Sequence, residues 1–142
     1  MAHRPSTDEL NDLSKFRDEA GHAVTFYFHP SPGPNARRDA TAMEFRARDV
    51  FSDHFAPEQH NSGLLRDLDH CMQIVEETTG ADSQLRIVFA CHDRGIWKEY
   101  LVPFQGRMLQ LEAGTNFDVA PLRALCSEKS EAQEKADPQR PV

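Results

Sequence analysis

Two apolar runs joined by a short polar segment most restrict the folds open to this 142-residue chain. Residues 85–90 are nearly all apolar, and residues 96–102 alternate well enough between apolar and polar side chains to form a return strand. The segment between them, Cys91-His-Asp-Arg-Gly95, contains the aspartate and glycine that tight reversals favour. The sequence therefore predicts an antiparallel β-hairpin with these five residues at its crown.

Hydrophobic spacing and turn-forming residues predict the other elements of the fold. Ser6 and the acidic residues after it predict the start of a short helix, because such side chains cap helix N-termini. Three prolines between residues 30 and 34 predict the end of a buried strand, since proline cannot donate to a sheet. The predicted elements are a helix over residues 6–16, a strand over 23–28, a long helix over 35–55, a loop over 56–63, a third helix from 64 to near 80, the hairpin, a weaker strand over 108–111 and a helical turn over 120–125.

This order of elements predicts one α+β domain, an α/β sandwich in which a small mixed β-sheet with a β-hairpin packs against two long helices. A chain with 39% apolar residues at this length suffices for one core. The predicted domain covers residues 8–126, after a flexible N-terminus (1–7) and before a disordered charged tail (127–142) that offers little apolar area. Trp97 has the largest apolar surface in the hairpin, so we expect Trp97 and Leu101 to pack against the long helices.

Charge, cysteine content and hydropathy narrow the class of protein. The net charge of −7 opposes phosphate binding over the whole surface. A local basic face could still bind phosphate. Three widely spaced cysteines without a CxxC motif indicate neither a disulfide framework nor a zinc knuckle, and they fit a reducing compartment. No apolar run approaches the roughly 18 residues of a membrane span, so we expect a cytoplasmic protein that does not contact a membrane.

The cysteine and histidine at the crown admit two interpretations. Successive residues on a strand point to opposite faces, so the favoured interpretation is that Cys91 ends a core strand and His92 lies on a polar tip. The alternative is a small enzyme that uses Cys91 and His92 for catalysis. The other histidines lack metal-site spacing and no catalytic motif is present, so we expect no metal, no cofactor and no enzymatic activity. Cys71 and Cys126 are expected to be a packing and a surface residue.

Several segments carry a resemblance to a known family. They are Ala23-Val-Thr-Phe-Tyr-Phe-His-Pro30, Pro34-Asn-Ala-Arg-Arg-Asp39, Leu65-Arg-Asp-Leu-Asp69 and Ile87-Val-Phe-Ala-Cys-His-Asp-Arg-Gly-Ile-Trp-Lys-Glu-Tyr-Leu-Val-Pro103. In this order, over about residues 8–125, they resemble the N-terminal domain of the bacterial relatives of the eukaryotic and archaeal class-one peptide-chain release factor. The hairpin is the most specific part, because this family also closes a tryptophan-containing return strand on Leu-x-Pro.

The resemblance implies a module of the translation apparatus. In the family, the N-terminal domain recognises stop codons through an Asn-Ile-Lys-Ser loop and a Tyr-x-Cys-x-x-x-Phe element, and a second domain hydrolyses the ester with a Gly-Gly-Gln loop. Here the loop over residues 56–63 has no lysine, residues 100–104 have no cysteine, and no Gly-Gly-Gln occurs. The resemblance therefore implies a non-catalytic binding module for the ribosome, an RNA or a protein partner. The expected contact residues are Arg37, Arg38, Gln59, His60 and Asn61.

Overall fold

A computed structural model describes residues 5–53, 62–78 and 84–126 of the chain. These residues form a four-stranded sheet with helices on both faces. The elements are α1 (Thr7–Lys15), β1 (Ala23–His29), α2 (Asn35–Asp53), α3 (Ser62–Glu77), β2 (Gln84–Cys91), β3 (Ile96–Pro103), β4 (Met108–Gly114) and α4 (residues 120–126). A single 3-10 turn over His92–Arg94, followed by Gly95 at φ 68°, joins β2 to β3. The predicted α+β sandwich and its hairpin are confirmed.

The sheet has the order β3-β2-β1-β4, and every neighbouring pair is antiparallel. The prediction of a mixed sheet was therefore wrong in this detail. Its physical reason is the pair of helices between β1 and β2. Because α2 runs back along the sheet and α3 returns, β2 begins at the end where β1 finished and runs in the opposite direction.

Two apolar cores lie on opposite faces of the sheet, and β1 supplies side chains to both. Val24, Phe26 and Phe28 face the core under α2 and α3, while Ala23 and Tyr27 face the core under α1 and α4. All seven residues of β1 are buried, which agrees with the prediction of a buried strand. Since successive side chains of a strand point to opposite faces, burial of every residue requires a layer on each face.

Trp97 packs against the core under α2 and α3, as predicted, but the side chain is only half-buried. Its indole ring stacks on the imidazole of His70 in α3, with ring centroids 4.0 Å apart. Leu101 is also half-buried and, by strand alternation, lies on the same face as Trp97. The expected contact of Trp97 with the long helices is therefore confirmed, with less burial than its size suggested.

The ends of the helices depart slightly from the predicted boundaries. A capping box between Ser6 and Glu9 begins α1 at Thr7, one residue before the predicted domain start. The long helix was predicted to extend to residue 55, and its last two predicted residues lie outside the described residues. The predicted tail over 127–142 also lies outside them. Among the helices that are described, none combines the length and apolar character needed to cross a membrane.

Candidate functional site

The outward side of α2 carries the predicted contact residues Arg37 and Arg38. Both are exposed in the first turns of the helix, and Thr41, Phe45 and Arg48 follow them at helical spacing. We call this surface the α2 outer face. Its exposed residues are Arg37, Arg38, Thr41, Ala42, Phe45, Arg48, Asp49 and Ser52.

Charge on the α2 outer face is predominantly positive over its first three turns. Between Arg37 and Arg48 the exposed charged residues are all arginines, because Asp39 is buried and Glu44 is half-buried. The carboxylate of Asp49 follows only in the next turn. A chain with a net charge of −7 thus has a local basic strip on one helix.

Phe45 is the aromatic centre of the α2 outer face. Its side chain is 58% exposed, and the guanidinium carbon of Arg48 lies 5.5 Å from the centre of its ring. Arg48 is one helical turn away, so this cation–π contact forms within the helix and orders the arginine beside the ring. The arrangement presents an exposed aromatic ring with a guanidinium over it.

Buried polar contacts hold α2 in place on the sheet. The carboxylate of Asp39 accepts hydrogen bonds from the Ser31 backbone N–H at 2.7 Å and from Nε of Arg107 at 3.1 Å. Burial alone would raise the pKa of Asp39, but these hydrogen bonds and the charge of Arg107 outweigh it and lower the pKa below its usual value. Further along the helix, Nε of Arg46 donates to the Leu111 carbonyl of β4 at 2.7 Å. These hydrogen bonds fix the position of α2, and therefore of its outer face, relative to the sheet.

One end of the α2 outer face borders a cleft of about 460 Å³ between α2 and α3. Arg37 lines this cleft together with Glu44, Val75 and Glu76. The carboxylates make this part of the surface less positive than the face around Arg38 and Arg48. The other predicted contacts, Gln59, His60 and Asn61, lie outside the described residues.

A second concentration of polar groups surrounds the hairpin crown, and the sequence analysis identified only its Cys91 and His92 as candidate residues. We call it the crown cluster: Asp18, His22, Asp67, Cys91, His92, Asp93 and Arg94. His22 Nδ1 lies 2.9 Å from Asp93 Oδ2, and Asp18 accepts from the backbone N–H of His22 at 3.0 Å. Nε of Arg94 donates to the other Asp18 oxygen at 3.3 Å. The cluster thus ties the loop before β1 to the crown.

Local sequence shapes the loop that carries Asp18. The Asp18 side chain accepts from a backbone N–H four residues later, and Gly21, at φ 82°, makes the reversal that this closure requires. The Asp18 backbone N–H donates to the carbonyl of Thr115 beyond β4. A short aspartate-to-glycine turn therefore places His22 at the start of β1 beside Asp93, which lies 71 positions further along the chain.

The thiol of Cys91 contacts Asp18 and is not activated. Burial, followed by the charge of Asp18, raises the pKa of Cys91 to about 11, so the thiol is protonated at neutral pH. His92 is exposed, and its backbone N–H donates to Asp67 at 2.8 Å. Cys91 is the buried end of a core strand, as predicted, and the alternative of a Cys91–His92 catalytic pair gains no support from this geometry. The prediction for Cys71 is confirmed by its burial in the core, whereas Cys126 is half-buried rather than fully at the surface.

Asp18, His22 and Asp93 also bring three possible metal-ligand atoms within 4.8 Å of one another. Two of the three residues are buried, and Asp93 is exposed. The Arg94 guanidinium already supplies a cation to Asp18, and the same carboxylate accepts two further hydrogen bonds. These contacts occupy most of the acceptor sites of the Asp18 carboxylate and join the loop before β1 to the crown, while Asp67 joins the crown to α3.

Comparison with known proteins supports the fold and leaves the function open. Neither a protein-family model nor a curated protein matches the chain. A solved structure described as "Archaeal protein" is similar, with a TM-score of 0.57 and 15% sequence identity over 82% of this chain. The chain spans about a third (33%) of the length of that protein. At this identity the similarity is one of fold alone.

Proposed function

We propose that the protein is a non-catalytic, release-factor-like binding module of the translation apparatus, which contacts RNA through the α2 outer face. The observation that carries the proposal is the exposed ring of Phe45 with Arg48 over it, in line with Arg37 and Arg38. The resemblance of residues 8–125 to the release-factor N-terminal domain supports the choice of ribosomal RNA as the partner and of the cytoplasm as its compartment.

The residue types of this face match what single-stranded or looped RNA requires. Arginines contact phosphates and position the strand, while an exposed aromatic ring stacks on an unpaired base. Stacking of this kind contributes about 1–3 kcal/mol per base. An exposed phenylalanine on a basic helix thus offers a ring on which an RNA base can stack. Without such a partner, exposure of the ring to water is unfavourable.

Two features support a binding role in preference to catalysis. The Cys91 thiol has a raised pKa and is buried, so it is not a ready nucleophile. The second feature is the resemblance itself, because in those factors the hydrolytic Gly-Gly-Gln loop belongs to a separate domain and the resembled N-terminal domain is the one that binds. The proposed role is therefore to occupy or bridge a site on the ribosome.

Fluorescence anisotropy with a labelled single-stranded RNA of mixed sequence, together with pelleting on purified ribosomes, tests the proposal. Charge reversal in the double variant R37E/R38E should weaken RNA binding by at least about ten-fold and flatten its salt dependence. The substitution Phe45→Ser should weaken binding by about five-fold or more without changing the slope against salt, because it removes stacking and leaves the charge.

The double variant K15E/R17E is the matched control. It makes the same change in charge at two exposed positions, the last residue of α1 and Arg17 just beyond the helix, on the other side of the sheet. Equal weakening of RNA binding in the control and in R37E/R38E would show that only net charge matters, and it would refute a specific role for the α2 outer face. Absence of binding to both RNA and ribosomes by the wild-type protein would refute the proposed function itself.

A further inference from the structure

The two edges of the sheet differ in how they are covered. The edge of β4 lies beside α2, and Arg46 donates to its Leu111 carbonyl. The edge of β3 runs over eight residues, Ile96–Pro103, and within residues 5–53, 62–78 and 84–126 no strand pairs with it on its outer side. An edge strand presents a row of backbone donors and acceptors that can pair with another chain.

A cleft of about 190 Å³ lies beside this edge, on the face covered by α1. Alternate residues of β3 form one wall of the cleft, and α1 together with Phe117 forms the other. The lining residues are Glu9, Asp12, Leu13, Phe16, Ile96, Lys98, Tyr100 and Phe117. The volume is below the roughly 300–1,000 Å³ of small-molecule sites and is on the scale of a single large side chain.

Charge and hydrophobicity are separated within the cleft. The wall opposite β3 is apolar where Phe16 and Phe117 stack, with ring centroids 4.6 Å apart. The rim of the cleft on α1 is acidic, with Asp12 exposed and Glu9 bonded to the Ser6 N–H and the Tyr100 hydroxyl. The opposite side of the cleft, on β3, carries the exposed cation Lys98. The complementary occupant is therefore a large apolar side chain with a basic neighbour that lies toward α1 and away from Lys98.

We propose that the β3 edge and this cleft bind an extended segment of another protein, which adds a fifth strand to the sheet. Backbone hydrogen bonds to β3 would supply the pairing, one large apolar side chain would fill the cleft, and a lysine or arginine of the segment would lie beside Asp12. This mode of recognition, in which main-chain pairing gives affinity and a pocket gives specificity, needs an open edge beside a helix. The site is on the opposite face of the sheet from α2 and is independent of RNA binding.

Selection from a phage-displayed library of random twelve-residue peptides on the full-length protein tests this proposal. Enriched peptides should alternate β-branched and polar residues around one large apolar and one basic residue. A synthetic copy of the most enriched peptide should shift the backbone amide resonances of residues 96–102 and of Leu13 and Phe16. Methylation of alternate backbone nitrogens in that peptide should weaken binding by at least about ten-fold, since it removes the donors of the new ladder.

Asp12→Lys and Asp8→Lys form the matched pair of variants. Both aspartates are exposed on α1, and only Asp12 lines the cleft. Asp12→Lys should weaken the peptide by about two- to five-fold, the range of an exposed ion pair, while Asp8→Lys changes it by less than two-fold. The proposal is overturned if no peptide is enriched, if the shifts map away from β3, or if β3 pairs with a second copy in concentration-dependent dimers.

Discussion

A side chain added at Gly63 would lie 2.6 Å from Oδ1 of Asp93 and 3.1 Å from the His92 ring. The first turn of α3 thus approaches the hairpin crown closer than a methyl group allows. In an ordinary helix, replacement of glycine by alanine stabilises by about 1 kcal/mol. Here we expect Gly63→Ala to destabilise by about 1–2 kcal/mol, because the Asp93 carboxylate must leave its place beside His22.

The cause of this effect can be isolated with a double variant in urea unfolding. Asp93→Ala removes the clashing carboxylate, so Gly63→Ala in that background should recover much of its ordinary helical gain. Equal destabilisation by Gly63→Ala with and without the Asp93 carboxylate would show that this carboxylate is not the cause of the effect.

Acid should weaken the fold partly through Asp39. Its folded-state pKa is lowered, so its ionised form adds stability above its unfolded pKa of about 3.9, and this stability is lost as the pH falls through the folded value. We expect Asp39→Asn to be less stable near pH 7 and to lose less further stability in acid than the wild type. Urea midpoints measured from pH 7 to about 3 test this. Parallel curves for the two proteins would contradict it.

Asp67 should show the opposite dependence on pH. Burial raises its pKa, and the hydrogen bond from the His92 N–H offsets this only in part. A raised pKa means that stability present below the unfolded pKa is lost as the pH rises through the folded pKa. Asp67→Asn retains an acceptor without the charge, so it should match or exceed the wild type at neutral pH. Asp67→Ala should cost about 1–3 kcal/mol, because it leaves the His92 N–H without its acceptor.

Trp97 should contribute less to stability than a fully buried tryptophan. It is half-buried and covered on one side by His70, so Trp97→Ala should cost about 1–3 kcal/mol, against about 3–5 for complete burial. The chain has one tryptophan, so its emission reports this site alone. We expect emission between the buried and exposed limits, and a shift to the red in His70→Ala. Unchanged emission in that variant would show that the stacking does not persist in solution.

The raised pKa of Cys91 predicts slow thiol chemistry. In a Cys126→Ser variant only Cys71 and Cys91 remain, and burial raises the pKa of both. Titration with a thiol reagent near pH 8 should give rates that follow unfolding in urea. A fast native-state reaction of one equivalent would instead indicate an activated Cys91 and return the Cys91–His92 enzyme to consideration.

The elements of this fold could be predicted because their signals are local. Helical spacing located α2 and α3, and the crown sequence after Phe89 located the hairpin. The crown cluster could not be predicted, because Asp18 and His22 meet Asp93 only after β1 and β2 pair. The prediction of a mixed sheet was wrong because the relative direction of β1 and β2 depends on the path of the two helices between them. The burial of Trp97 was overestimated, since side-chain size does not reveal whether a partner covers both ring faces.

The position of β1 between β2 and β4 sets the timing of folding during synthesis. Residues 23–29 pair with residues 108–114, so roughly 85 residues must be added after β1 before its second edge is covered. At about 5–20 residues per second this takes about 4 to 17 s, whereas a hairpin such as β2–β3 closes within microseconds. Among the strands that the structure describes, the one whose residues are all buried therefore waits longest for its last neighbour, and its apolar side chains stay uncovered on that edge for seconds of synthesis.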